Sequence, residues 1–162
     1  MTNKLQITII VFIIPIGLLF WYMNGNNLSI RDIFIPSAPI MRIGDIPVHV
    51  EIANSDEERM QGLSGRQALE DVDGVLFVFP ETGYHGIWMK DMQFPIDIIW
   101  INDDLEIISI DEGVAPETYP RTFRPPKPAR YVLETNAHFA DTFGIHKGQK
   151  VTLPLKYLDE TK

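Results

Sequence analysis

A mainly β (α+β) fold, a compact barrel-like or rolled sheet with two short helices behind one N-terminal transmembrane helix, is what the sequence predicts. Three observations carry this. Six or seven short apolar or alternating runs, bounded by Gly, Pro, Asn and Asp, recur over about 115 residues. Helix-start chemistry occurs in that region at two brief stretches. Ahead of it lies an uncharged apolar run of helical length. Hydrophobic residues make up 45% and charged residues 22% of the 162, which suits a globular chain rather than a disordered one.

The apolar run extends from Leu5 to Met23 behind Lys4. Nineteen helical residues rise about 28 Å, close to a hydrocarbon thickness of about 30 Å. Trp21 and Tyr22 suit an interfacial aromatic belt, and Pro15 is tolerable in a membrane helix. The expectation is a single-pass anchor in the cytoplasmic membrane. The C-terminal domain then lies outside the cytoplasm, periplasmic where the cell has an outer membrane. A cleaved signal segment, leaving a secreted protein, is the alternative, although no small-x-small pattern follows Met23. Residues 24–40, with Pro36 and Pro39, read as a linker. Residues 41–157 read as the exported β domain and 158–162 as a tail.

Within the domain, IPVHVEIA sets Val48, Val50 and Ile52 against His49 and Glu51, a half-buried strand. Ser55 followed by Glu58 forms a capping box and starts a short helix that ends at Gly62. GVLFVF (74–79) is a compact apolar strand closed by Pro80. In residues 96–101, Ile96, Ile98 and Trp100 alternate with Asp97, Ile99 and Ile101. Both faces are apolar, so this strand is expected to be buried on both sides, with Asp97 inside. Asp103 and Asp104 belong to a turn joining it to EIISI (106–110) in a hairpin. RYVLE (130–134) is a further strand. A short helix follows, capped by Thr135 or Asn136, with Phe139 and Phe143 facing the core. KVTLPL (150–155) is the last strand. Residues 114–130 hold five of the twelve prolines and Arg121, Arg124, Lys127 and Arg130. They read as a stiff surface loop, or as a basic arm for an anionic partner.

GLSGR (62–66), GVLFVF (74–79), IWMKDMQFPIDIIWI (87–101) and YVLETNA (131–137) together resemble the bacterial and archaeal family called domain of unknown function 192. The resemblance covers roughly residues 43–155. It implies a compact, mostly β domain, often exported or membrane-anchored, and brings no catalytic assignment. Ser64 stands where the family usually has Met, and Asp91 and Met92 where it usually has Asn and Thr.

The candidate site residues come from these motifs. Arg66 is the natural partner of Asp97 or Glu134, through bidentate guanidinium–carboxylate pairing. That is either an architectural ion pair or the floor of a pocket walled by Trp88, Met89 and Tyr131, fit for a small polar ligand or a sugar. A third possibility sets Asp97 and Glu134 to work as a catalytic carboxylate pair. His49, His85, His138 and His146 show no ligand spacing and no HExxH, so no metal and no cofactor is expected. The absence of Cys removes thiolate and disulfide chemistry, and a net charge of −8 argues against nucleic acid. The reading weighs toward a non-catalytic, membrane-anchored module that binds a ligand or a protein. The alternative is a small envelope hydrolase using Asp97 and Glu134 on a carbohydrate-like substrate.

Overall fold

The computed structural model describes residues 38–69 and 73–154. The strands are β1 (Ile40–Ile43), β2 (Ile46–Ala53), β3 (Gly74–Gly83), β4 (Ile87–Trp88), β5 (Ile96–Ile101), β6 (Ile107–Val114), β7 (Thr122–Phe123), β8 (Ala129–Asn136) and β9 (Val151–Thr152). The helices are α1 (Asp56–Gln61) and α2 (Phe139–Phe143). The main sheet runs β6-β5-β8-β3-β2-β1-β9, and β4 pairs with β7 as a separate ribbon. Neighbours in the main sheet are antiparallel, except that β2 and β3 are parallel and joined through α1. The sheet curls until its two ends meet. Ile107 N donates to Gln149 O and Val151 N to Leu105 O, joining the start of β6 to the approach to β9.

Curling gives the sheet an inside and a covered outside. Met41, Val48, Leu76, Ile99, Tyr131 and Leu133 pack together on the inner face. Val75, Phe77, Ile98, Trp100 and Val132 form the outer-face cluster, covered by Leu63, Met89 and Phe123 from the connecting segments. Every residue of β5 is therefore buried. Each apolar side chain hidden there contributes about 1.5–3 kcal/mol relative to exposure.

Asp97 points to the inner face, fully buried. Its carboxyl accepts hydrogen bonds from Gly113 N at 2.8 Å, His138 N at 3.2 Å and Ala140 N at 3.0 Å. These donors are ones the fold would otherwise strand. Gly113, at φ +59°, sits where the β5–β6 register shifts between Ile96 and Ile98, so its N–H leaves the ladder. Ala140 lies in the first turn of α2, whose N-cap His138 has φ +68° and no side-chain cap of its own. Asp97 thus ties β5 to a bulge and a helix start, the architectural role its two-sided apolar strand suggests.

Several expectations are corrected here. No transmembrane helix is found: among the described residues no helix is long and apolar enough to cross a membrane. The six residues of α1 rise about 9 Å, less than a third of the hydrocarbon thickness. Residues 5–23, on which that expectation rested, lie outside the described residues, as do most of the proposed linker and the tail. The membrane partner, the periplasmic placement and the secreted alternative are withdrawn with it. Pro80 does not close its strand. Strand β3 continues to Gly83 because the β3–β8 ladder is irregular between Val78 and Gly83, where a missing N–H matters least. Neither Thr135 nor Asn136 caps α2, since both belong to β8 and Asp97 supplies the cap. Phe143 is half exposed, its ring tilted against Phe139.

Asp97→Asn replaces one acceptor oxygen with a donor facing buried N–H groups, each costing about 1–3 kcal/mol when unpaired. Urea unfolding of the full chain should show a loss of at least about 3 kcal/mol with an unchanged slope.

Candidate functional site

The outer face carries a cleft between α1 with its following turn (62–65) and the 84–92 segment. The α1 side begins with a complete capping box. Ser55 Oγ accepts from Glu58 N, while Glu58 Oε2 accepts from Ser55 N, so the chain enters the helix in one direction. Gly62, at φ +45°, turns the chain out of the helix and over Phe77. Ser64 Oγ then donates to Lys90 O at 2.8 Å, fastening this turn to the opposite wall.

Arg59 stands in the cleft wall, but its guanidinium is committed. It donates to Val78 O at 2.8 Å and to Asn54 O, pairs with Asp56, and lies 5.5 Å from the Phe79 ring centroid. The opposite wall is Ile87 and Trp88 of β4. Trp88 is 51% exposed and Met60, at the rim, 76%.

Glu134 of β8 forms the floor. Its register partners are Val75 on β3 and Ile98 on β5, so its side chain rises from the outer face between two apolar neighbours. It is 5% exposed. Among the described residues its carboxyl has no hydrogen-bond or ion-pair partner, and burial alone pushes its pKa up to about 8. At neutral pH it is mainly a protonated acid, able to donate one hydrogen bond and accept others. The inner end of the cleft, over Glu134, encloses about 40 Å³. The outer part, between Met60, Phe79 and Trp88, opens to about 360 Å³.

The sequence-derived candidates divide on this geometry. Trp88 and Glu134 meet in the cleft. Arg66 does not: it forks onto Glu51 at 2.7 and 2.8 Å near the surface, so the expected pair with Asp97 or Glu134 is absent. Met89 is sealed in the outer-face core and Tyr131 points to the inner face. The catalytic pair fails on register. Asp97 faces Thr135 while Glu134 faces Ile98, so on adjacent strands the two acids leave opposite faces of one sheet. Asp97 is also fully buried and bonded to three N–H groups. The hydrolase reading is therefore withdrawn.

Among the described residues no cluster of His, Asp or Glu could hold a metal ion. His85 stacks on Phe79 with centroids 3.6 Å apart, and His49 pairs with Asp73 at 3.1 Å. The basic loop is fastened to the domain, with Arg124 donating to Tyr84 O at 2.6 Å and Arg121 lying over Phe123. Sequence reasoning did not single out Arg59, Met60, Gly62 or Phe77. The capping box located α1, but nothing in its period shows which sheet face it covers.

A curled β domain with a cleft over one buried acid is thus the class that fold and site define. The chain belongs to the DUF192 family, described as "Uncharacterized ACR", which it matches over residues 40–153. All four segments that carry the resemblance reach the cleft, through Gly62, Phe77, Trp88 and Glu134. Solved structures similar to it include the following two. One, from Sinorhizobium meliloti 1021, is provisionally described as a transcription regulator. It is 29% identical with a TM-score of 0.64, over 70% of this chain and 90% of that one. The other, a protein of unknown function from Novosphingobium aromaticivorans DSM 12444, is 28% identical with a TM-score of 0.65, over 70% of this chain and 82% of that one. No curated protein matches the chain.

The raised pKa of Glu134 makes stability depend on pH. Below the unfolded value of 4.5 both states are protonated and nothing is lost. Between 4.5 and about 8 the unfolded chain ionises while the folded chain keeps its proton. Stability therefore falls through that window by about 1.4 kcal/mol per pH unit from this group. Glu134→Gln should remove that slope, raising the unfolding free energy by about 3 kcal/mol at pH 7 and little at pH 4. Urea unfolding of both proteins from pH 4 to 9 measures the difference.

Proposed function

We propose that this domain is a small-ligand binding module whose site is the outer-face cleft floored by Glu134. One observation carries the reading: Glu134 is a residue 5% exposed whose carboxyl has no hydrogen-bond or ion-pair partner among the described residues, and it lines an opening in the outer face. Buried polar groups are almost always satisfied within the protein or by water or ligand. A stability cost kept in a cleft has the character of a binding group rather than a structural one. The wider outer part, edged by Trp88 and Met60, supplies apolar surface for the body of the ligand. The module acts by binding alone.

A panel of small aromatic amines, alcohols and carboxylates, added to the ¹⁵N-labelled full chain, tests this. Binders should shift the indole signal of Trp88 and the amide of Glu134, and Glu134→Leu should abolish the response. The reading fails if no class perturbs these signals, or if the shifts survive in Glu134→Leu.

A further inference from the structure

We infer that the ligand of this cleft is an organic cation of the primary-amine class. Its ammonium head would sit on Glu134 and its apolar body along Trp88 and Met60. The inference rests on the binding-module reading above and adds the chemistry of what is bound.

Size comes first. The inner end encloses about 40 Å³, against about 360 Å³ outside it. A water-sized group needs roughly 10–15 Å³ on this measure, so the inner end takes a small head and little more. An ammonium with its first methylene fits there. A pyranose ring does not fit this inner end.

Charge comes second. An anion placed over Glu134 would need a cation to hold it. Arg59 is the basic residue lining the cleft; Asp56, Asn54 O and Val78 O take three of its five N–H donors, and Asp56 neutralises its charge. The Asp56–Arg59 pair in the outer part leaves no net positive charge there. Lys90 and Asp91, on the facing segment, are exposed and outside the lining, and Val75 and Ile98 beside Glu134 carry no charge. Anions are therefore disfavoured, and the choice lies between neutral and cationic ligands.

The carboxyl decides between those two. A neutral ligand leaves Glu134 protonated and gains ordinary hydrogen bonds. A cation recruits the ionised form, and charge-assisted bonds are roughly twice as strong as neutral ones. Ionisation is within reach. At pH 7 a group that titrates near 8 is about one-tenth ionised, so recruitment costs about tenfold in affinity. The step balances simply: the O–H bond of Glu134 breaks, its proton passes to solvent, and the ammonium takes its place. The walls suit the same ligand. Trp88 presents an exposed indole, and the protein already rests the Arg59 guanidinium over Phe79 beside it.

Calorimetric titration of the full chain with phenethylammonium, phenethyl alcohol and phenylacetate tests the inference. Phenethylammonium should bind at least tenfold tighter than the other two at pH 7. Buffers of low and high ionisation enthalpy should report release of close to one proton per amine bound. Its affinity should rise nearly tenfold from pH 6 to 7, and Glu134→Gln should weaken it and flatten that rise. Equal or tighter binding of the alcohol or of phenylacetate overturns the amine class while leaving the cleft a binding site. So does an affinity that falls with rising pH. Binding of none of the three at this cleft overturns both.

Discussion

The pairing of β5 with β8 is the constraint on which the rest depends. Its register sets Asp97 opposite Thr135 and Ile98 opposite Glu134. Side chains alternate between faces, so this alignment sends one acid inward and the other outward. A slip of one residue would set Asp97 opposite Glu134 or Asn136 and so put both acids on one face. Asp97 would lose the three N–H groups that hold the β6 bulge and the start of α2 to β5. The apolar neighbours of Glu134 would move with it.

The two acids show how burial can be made tolerable or left costly. Around Asp97 the fold supplies donors, including backbone groups that bulge and helix start would otherwise leave unpaired, so carboxyl and backbone satisfy one another. Around Glu134 it supplies Val75, Ile98 and an opening. Nothing prevents the sheet from being covered there, because Leu63 and Met89 cover it on either side of the cleft. The turn at 62–65 is held by Ser64 on Lys90 O, while Arg59 fixes α1 to β3 through Val78 O. Ser64 thus ties the two walls together and Arg59 is engaged by α1 and β3, while Glu134 on the floor has no partner among the described residues.

Much of the architecture was legible because its signals are local. The alternation of IPVHVEIA, the Ser55–Glu58 box and the two-faced apolar run at 96–101 match β2, the start of α1 and β5. Asp97 could be read as buried from its strand alone. Its partners could not, because they are backbone groups at positions 113, 138 and 140 that only the curled sheet brings near. Arg66 was the misleading residue. Its chemistry fits any carboxylate, and the sequence does not show that Glu51 is the one within reach. Strands β1, β4 and β7 carry two to four residues each, too few for a period to declare itself. The pairing of β4 with β7 raises Trp88 as a cleft wall. Trp88 and Glu134 were both on the candidate list, yet their meeting depends on that ribbon and on α1 crossing the outer face.

The central claim is that Glu134 is a buried acid with no partner among the described residues on the floor of the cleft, and its own titration tests that most directly. The ¹³C shift of its side-chain carboxyl, followed by NMR in the ligand-free full chain, should move with a midpoint near 8. A midpoint in the ordinary carboxylate range, near 4.5, would contradict the account. It would mean that water or a protein cation already satisfies the group and that the cleft has no unmet demand for a ligand.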